Sequence, residues 1–164
     1  MTETASGTSM PGRVDPRTQA GCMEAAAACA LACQACADGC LAERDIVPFR
    51  RCIQLDLDCA AICACTASLL ARGSNFEPRV WRAQLEACAR AAAECGAECS
   101  KHAPHHERCR LCAEACRVCA ERVGALLREL PDRYGGTHVR PGQGDDQPST
   151  RWPAPSAHVR GNEP

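Results

Sequence analysis

The sequence predicts an all-α protein that folds as an antiparallel, up-down-up-down four-helix bundle with a cysteine-lined core. The region from 16 to 130 is rich in Ala, Glu, Arg and Leu, which are good helix formers. Prolines, glycines and capping residues divide this region into four segments of helical length. Within each segment the cysteines recur at the spacing of a helix. Because the connections between these long helices are short, consecutive helices must run antiparallel.

The first two helices are bounded by proline and glycine. Asp15 and Pro16 provide an N-cap followed by proline at the first helical position, and helix 1 is predicted to run to about Glu43. Pro48 is predicted to lie in the first turn of helix 2. Gly73 suits a left-handed C-cap, so helix 2 is predicted to end there.

The last two helices are bounded in a similar way. Ser74 and Glu77 have the spacing of a capping box, which predicts that helix 3 starts at this point. Pro104 is predicted to begin helix 4 after a short break, and Pro131 is predicted to stop it.

The composition divides the chain into three regions. We expect a flexible leader at residues 1–15 and a four-helix metal-binding domain at residues 16–130. Residues 131–164 contain six prolines, five glycines and no cysteine, so we expect a disordered tail.

The cysteines lie on a single predicted face of each helix. Positions that advance by steps of three and four residues share one face of a helix. On helices 1 and 2 these positions are Cys22, Ala26, Cys29, Cys33, Cys36, Cys40, Cys52, Leu55, Cys59 and Cys63. On helices 3 and 4 they are Trp81, Leu85, Cys88, Ala92, Cys95, Cys99, His102, His105, Cys109, Cys112, Cys116, Cys119, Val123 and Leu126. Cys65 departs from the pattern, because it lies roughly 200° around its helix from Cys63.

This number of cysteines indicates metal binding. The chain has 16 cysteines and only 3% aromatic residues, so a core of large rings is excluded. Free cysteine is often buried as a small core residue, which would explain one or two of them. It does not explain fifteen on four inward faces, because Ala, Leu and Val fill a core better. We therefore treat all sixteen cysteines as candidate metal ligands.

The sequence favours a cytoplasmic protein. Residues 1–17 are polar and contain neither the apolar stretch of a secretion signal nor a twin-arginine pair. We find no apolar run long enough to span a bilayer. A net charge of −1 with both signs interspersed predicts no nucleic-acid partner and no membrane partner. Thiols stay reduced in the cytoplasm, which favours metal ligands over the alternative of a disulfide scaffold.

Charge and ligand softness favour copper(I) as the metal. All-thiolate sites select Cu(I), zinc or iron–sulfur clusters. One Cu(I) per thiolate leaves the interior close to neutral, whereas four zinc sites of four thiolates each would load it with a charge of about −8. Iron–sulfur clusters need four converging thiolates, usually from loops that wrap the cluster. We expect multiple Cu(I) ions, on the order of one per cysteine.

Two other functions stay open at this point. The runner-up is a sink for zinc or for heavy metals in general, and a third candidate is an electron carrier built on an iron–sulfur cluster. We find no nucleophile–base pair and no phosphate-binding loop, so we expect a protein that is not an enzyme.

The motif CRLCAEACRVCAE, which begins at Cys109, resembles the cysteine-rich four-helix-bundle copper storage proteins. The resemblance covers about residues 16–130. It implies a bundle filled with Cu(I), copper homeostasis as the function, and a homotetramer. The cytosolic branch of that family has a histidine-containing mouth, which His102, His105 and His106 resemble.

The two ends of the predicted bundle differ in chemistry. One end holds Cys40, Cys52, His102, His105 and His106. The opposite end collects Leu69, Leu70, Trp81, Leu85, Val123 and Leu126. His102 and His105 continue the cysteine stripes, so we predict that both bind metal, whereas His106 is predicted to be a solvated helix end.

Overall fold

The structure, a computed structural model, describes residues 14–72 and 77–130. This part of the chain forms four α-helices, with one short 3-10 helix at Val47–Phe49. The four are α1 (Pro16–Leu41), α2 (Arg50–Ala71), α3 (Pro78–His102) and α4 (Glu107–Glu129). The predicted all-α fold class is confirmed. Residues 1–13 of the expected leader (1–15) and the expected tail from residue 131 lie outside the described residues. Of the other two leader residues, Val14 is buried and Asp15 caps α1.

The predicted start of α1 is also confirmed. Asp15 is the N-cap, and its carboxylate accepts a hydrogen bond from the backbone N–H of Arg17 at 3.3 Å. Pro16 occupies the first helical position, where its missing N–H costs nothing. The backbone N–H of Asp15 donates to Glu129 Oε2 at 2.9 Å, which ties the start of α1 to the end of α4.

The predicted starts of helices 2 and 3 are wrong by a few residues. Pro48 lies in the 3-10 helix, and α2 begins at Arg50. The capping box is not the start of α3, because Glu77 itself is the N-cap and accepts from the N–H of Arg79 at 3.3 Å, with Pro78 next. Gly73 and Ser74 lie outside the described residues.

Helix 4 begins at Glu107 rather than at Pro104. The carbonyl of His102 accepts from the N–H groups of both His105 and His106, at 3.1 and 3.0 Å. These bonds make residues 103–105 a turn that closes α3. Proline is tolerated in the first turn of a helix but does not by itself start one, so the prediction from Pro104 placed the start of α4 too early.

The helices form an antiparallel bundle in which each one packs against its two neighbours, in the cyclic order α1, α2, α3, α4. Close pairs of thiols on neighbouring helices show that these helices run in opposite directions. Cys52 near the start of α2 lies 3.5 Å from Cys99 near the end of α3, measured between Sγ atoms. Cys40 at the end of α1 lies 3.9 Å from Cys109 at the start of α4. The predicted up-down-up-down arrangement is therefore confirmed.

One end of the bundle is closed by bulky side chains. Leu70, Trp81, Leu85, Val123 and Leu126 are buried there, as the sequence predicted. Leu69 is only half-buried. Gln19 Nε2 donates to the carbonyl of Leu70 at 2.8 Å, and a guanidinium nitrogen of Arg82 donates to the carbonyl of Leu130 at 3.0 Å. These bonds join the helix ends around the five buried side chains, which we call the apolar plug.

The expectation that no apolar run is long enough to span a bilayer is wrong on length and composition. Within the described residues, α1 and the segment Val47–Ala71 both pass that test. Their apolar character comes largely from alanine and cysteine, and the cysteines of both helices except Cys65 face the bundle interior. A core helix of a bundle passes the same test, so this finding is weak support for a membrane span.

Candidate metal centre

Fifteen of the sixteen cysteines are buried in the bundle, and all sixteen are free thiols. Together the fifteen form what we call the thiol column. Its members are Cys22, Cys29, Cys33, Cys36, Cys40, Cys52, Cys59, Cys63, Cys88, Cys95, Cys99, Cys109, Cys112, Cys116 and Cys119. Cys65 is exposed on the outer side of α2, as its off-stripe position predicted. It therefore lies apart from the ligands that face the interior.

The sulfur atoms of the thiol column lie close to one another along the bundle. Cys33 Sγ is 3.8 Å from Cys95 Sγ and 3.6 Å from Cys112 Sγ, which joins three helices at one level. Towards the closed end, Cys63 Sγ lies 3.7 Å from Cys88 Sγ and 3.9 Å from Cys119 Sγ. Neighbouring levels are connected in the same way, because Cys59 Sγ lies 3.7 Å from Cys63 Sγ. These sulfurs form one connected set, and a second set nearer the histidines consists of Cys36, Cys40, Cys52, Cys99 and Cys109. The two sets meet where the ligand atoms of Cys95, Cys99 and Cys112 lie within 4.8 Å of one another.

Several groups of four ligand atoms overlap within this column. In each group, all ligand atoms lie within 4.8 Å of one another. One group is Cys29, Cys33, Cys59 and Cys116, and another is Cys33, Cys95, Cys112 and Cys116. The two groups share two sulfurs. A third, nearer the histidines, is Cys36, Cys40, Cys52 and Cys109. Sharing of this kind suits metal ions bridged by common thiolates better than isolated four-thiolate sites.

Asp56 is a member of the site that the spacing of the cysteines did not predict. Its side chain is fully buried, and Asp56 Oδ1 accepts from the thiols of Cys95 at 3.0 Å and of Cys99 and Cys112 at 3.3 Å. Asp56 Oδ2 accepts from Cys52 at 3.6 Å. The carboxylate also completes two groups of closely spaced ligand atoms with these cysteines. It is therefore a candidate ligand in the middle of the column.

The spacing on α2 contained the signal for Asp56. The predicted stripe passed through Leu55, but Leu55 is only half-buried, so that choice was wrong. The buried positions of α2 are Cys52, Asp56, Cys59, Ala60, Cys63, Thr66 and Leu70. From Cys52 the steps of four, three, four, three and four residues fit the helix, and Leu55 was preferred only because it is apolar.

Burial raises the pKa of several ionisable groups in the column. It raises the pKa of Asp56 to about 8, and that of Cys22 to about 12, where the charges of Cys119 and Cys88 add to the effect. The pKa of Cys40 is raised by burial and by the neighbouring Cys109. In the metal-free protein these groups therefore keep their protons, and a cation that replaces a proton removes the cost of burying negative charge.

Two histidines and a phenylalanine stand at the open end of the column. The ring of Phe49 lies 4.9 Å from that of His102 and 4.8 Å from that of His106, between centroids. Phe49 is buried, and the side chains of His102 and His106 are 17% and 33% exposed. His106 Nδ1 also lies 3.4 Å from Glu43 Oε1, two residues after the end of α1. We refer to Phe49, His102 and His106 as the histidine end.

The histidine end differs from the sequence expectation in one respect. His105 is exposed in the turn after α3, so it does not continue the stripe of α4. His106, predicted to be a solvated helix end, packs edge-on against Phe49 instead. His105 is exposed and His106 is packed because α4 starts later than predicted, which leaves residue 105 outside the helix.

The chain matches a known protein family over most of its length. Residues 15–128 match the family described as copper storage protein. The chain belongs to the copper storage protein family. This membership confirms the predicted family, the bundle fold and copper storage as the function.

Solved structures of the family resemble this chain closely. A cytosolic copper storage protein from Streptomyces lividans, studied during copper loading with five coppers, is 46% identical. The similarity covers 71% of this chain and 97% of that one, with a TM-score of 0.69. The Cu(I)-bound copper storage protein BsCsp3 is 34% identical, with 67% and 98% of the two chains covered and a TM-score of 0.60. The cysteine-rich protein YhjQ of Bacillus subtilis (strain 168) is 38% identical over 105 residues, which are 64% of this chain and 92% of that protein.

Proposed function

We propose that this member of the copper storage protein family stores or buffers Cu(I) in the cytoplasm, along the thiol column. The observation that carries the proposal is the extent of the column over all four helices. Neighbouring sulfurs lie 3.5–4.0 Å apart within its two connected sets, and the two sets meet where the ligand atoms of Cys95, Cys99 and Cys112 lie within 4.8 Å of one another. Thiolate is the soft ligand that Cu(I) prefers, and shared sulfurs allow low coordination numbers at every level.

Charge balance sets the expected capacity. Each Cu(I) that displaces one thiol proton leaves the interior neutral, so the column should hold on the order of one ion per buried cysteine. Asp56 adds one hard oxygen donor and one potential negative charge at the level of Cys95 and Cys112. The proposal includes no catalytic step.

A sink for divalent zinc fits the column less well. Zinc favours closed sites with four ligands of their own. Cys33 and Cys116 each belong to two of the overlapping groups, so these groups cannot all be filled by separate four-thiolate zinc ions. Each such site would also place a net charge of about −2 in the buried core.

Copper should enter at the histidine end. The opposite end is plugged by Trp81, Leu85 and Leu126, which are nearly or fully buried. Imidazole of His102 and His106 offers a metal ligand at the end of the column, and Cys40 and Cys109 lie at the same end of the bundle. The two histidines can capture an ion and pass it to thiolates.

We also propose that the chain forms a homo-oligomer, a tetramer by family resemblance. The outward faces of α1 and α2 carry exposed leucines, Leu31 at 67% and Leu57 at 53% exposure. Burial of this apolar surface against a second copy would stabilise such an assembly. Light scattering of the wild-type protein and of Leu31→Lys/Leu57→Lys tests it: the variant should have the lower mass.

An anaerobic titration with Cu(I) against a competing chromophoric chelator tests the storage function. We expect binding of about 15 Cu(I) per chain, one for each thiol of the column. Saturation at four ions or fewer would contradict the proposal and support discrete four-thiolate sites. A parallel titration with Zn(II) provides the comparison, and it should saturate at far fewer ions.

A further inference from the structure

One nitrogen at the histidine end has no partner. Among the described residues, His102 Nε2 is the buried side-chain nitrogen or oxygen for which no hydrogen bond is found. Glu98 Oε1, one helical turn earlier on α3, lies 3.8 Å from this nitrogen. A buried polar atom without a partner is costly, so its surroundings merit an explanation.

Glu98 is itself unusual, because it is a buried glutamate on an otherwise thiol-lined helix. Its residue exposure is 8%. Glu98 Oε2 is held by Lys101 Nζ at 2.6 Å and by Arg51 Nε of α2 at 3.4 Å. Both cations contact the same oxygen. Oε1 is therefore left to face the imidazole of His102.

The imidazole of His102 also has an aromatic neighbour. Phe49 packs against it with a centroid distance of 4.9 Å and a tilt of 44°. The imidazole of His102 therefore has both an apolar ring and a carboxylate oxygen as neighbours. His102 is also three residues after Cys99, on the same face of α3, and Cys99 belongs to the thiol column.

We propose that Glu98 is a positioning residue for His102. Its Oε1 accepts the Nε2–H proton once the imidazole makes a small rotation, and this fixes the tautomer in which Nδ1 carries the lone pair. Nδ1 is then the atom that offers itself to an incoming Cu(I). The inference rests on the proposed entry of copper at the histidine end.

Glu98 would act as a hydrogen-bond partner of a metal-binding histidine without binding the metal itself. A ligand imidazole commonly donates its second N–H to a carboxylate, which orients the ring and raises the basicity of the ligating nitrogen. Loss of such partners typically costs 10–100-fold in metal affinity or activity. Here we expect the loss to appear as slower capture of copper, since the thiol column that retains it is unchanged.

The experiment compares Glu98→Ala with Arg51→Ala in the full-length chain. Arg51→Ala removes one cation from Glu98 but keeps the acceptor oxygen, so it serves as the matched control for a purely structural ion pair. In the metal-free proteins, ¹⁵N chemical shifts of the His102 ring report the tautomer. We expect a single Nε2-protonated form in wild type and Arg51→Ala, and a mixture in Glu98→Ala.

Loading kinetics give the second measurement. With Cu(I) supplied by a chelator in a stopped-flow instrument, Glu98→Ala should load about tenfold more slowly, with the final capacity unchanged. In a His102→Ala background, the additional Glu98→Ala change should have no further effect, because Glu98 acts through His102. A tautomer mixture already present in wild type, or equal slowing by Arg51→Ala, would overturn the inference.

The two possible failures are distinguishable. If His102→Ala alone does not change the loading rate, then the proposed entry route is wrong. If His102→Ala slows loading but Glu98→Ala leaves both rate and tautomer unchanged, then only the role of Glu98 is wrong. Should Glu98→Ala prove unfolded by circular dichroism, Glu98→Gln replaces it: its amide can donate as well as accept, so a mixed tautomer is again expected.

Discussion

The thiol of Cys95 donates a hydrogen bond to the carboxyl group of Asp56, with 3.0 Å between Sγ and Oδ1, in the core of the bundle. The contact joins α2 to α3 across the core. Cys99 and Cys112 donate to the same oxygen, at 3.3 Å. Burial raises the pKa of Asp56 to about 8, so below that pH the metal-free protein keeps this carboxyl protonated and does not bury its negative charge. A rise in pH that removes this proton should therefore place an uncompensated negative charge in the core of the metal-free bundle.

The first prediction follows from the pKa of Asp56, which burial raises from its ordinary value of 3.8 to about 8. Below pH 4 the carboxyl is protonated in both the folded and the unfolded state. Between pH 4 and pH 8 the unfolded chain loses this proton while the folded chain keeps it, so the folded state is progressively disfavoured. The metal-free protein should thus lose stability as pH rises through this window.

Asp56→Asn isolates that contribution. At pH 8 the metal-free variant should be more stable than wild type by a few kcal/mol (on the order of 1.4 kcal/mol per pH unit across the window), and the difference should vanish near pH 4. Urea unfolding under reducing conditions at several pH values measures it. A difference that stays constant with pH would mean that Asp56 stays ionised in the folded protein.

The extent to which the site could be predicted depended on the helix period. Positions such as Cys33 and Cys116 were recognised because cysteine is rare enough for its spacing to stand out, and the period alone assigns an inward direction. Asp56 lies at an inward position of the same helical period, but its side chain is charged. A charged residue at an inward position is normally not assigned to the core, because burying its charge costs free energy. For Asp56 this cost is offset by partners on α3 and α4, which the spacing along one helix does not reveal.

The ends of the helices were harder to predict than the helices themselves. Pro104 and Ser74 carry signals that are permissive rather than compulsory: proline tolerates a first turn, and serine can cap many turns. The structure resolves the turn after α3 through two hydrogen bonds to His102, which reassigns His105 and His106. Phe49 could not be linked to these histidines from sequence, because that contact depends on how the α1–α2 connection folds over α3.

A second prediction separates the inner thiols from the outer one. Cys65→Ser should leave capacity within about one Cu(I) of wild type, because Cys65 is exposed on the outer face of α2. Cys33→Ser should lose more than one ion, since its sulfur contributes to two overlapping groups. Anaerobic titration of the two matched variants measures this difference. Equal losses would show that Cys65 contributes to copper binding as much as the core does.

A third prediction concerns the volume available to copper. Ala92 is buried on α3, and it continues the stripe between Cys88 and Cys95. Ala92→Leu should crowd the column, lower capacity by one or more ions, and cost about 1–3 kcal/mol in stability. Ala93 is exposed on the same turn, so Ala93→Leu is the matched control and should do neither. Unchanged capacity in Ala92→Leu would indicate that copper does not occupy this level.

A fourth prediction concerns the state of the protein before loading. The apolar plug, the helix caps and the thiol packing should fold the bundle without metal, unlike a zinc finger, which needs its ion. Circular dichroism of the reduced, metal-free protein should show strong helicity that changes little on loading. The melting temperature should rise with copper, because the ion binds the folded state preferentially. A disordered metal-free chain would contradict this prediction.

The last prediction tests the route by which copper moves. The rings of His102 and His106 both pack against Phe49 at the open end, and Leu85, Val123 and Leu126 are fully or almost fully buried at the other. Replacing both histidines by alanine should therefore slow loading and change the rate of removal by a chelator, while the number of ions held at saturation stays the same. His105→Ala is the matched control, because His105 is a histidine of the same turn whose side chain is exposed. It should load at the wild-type rate. If instead all three proteins load and release copper at one rate, the ions reach the thiol column by another path, and the packing of the two imidazoles against Phe49 serves only to close α3 against α4.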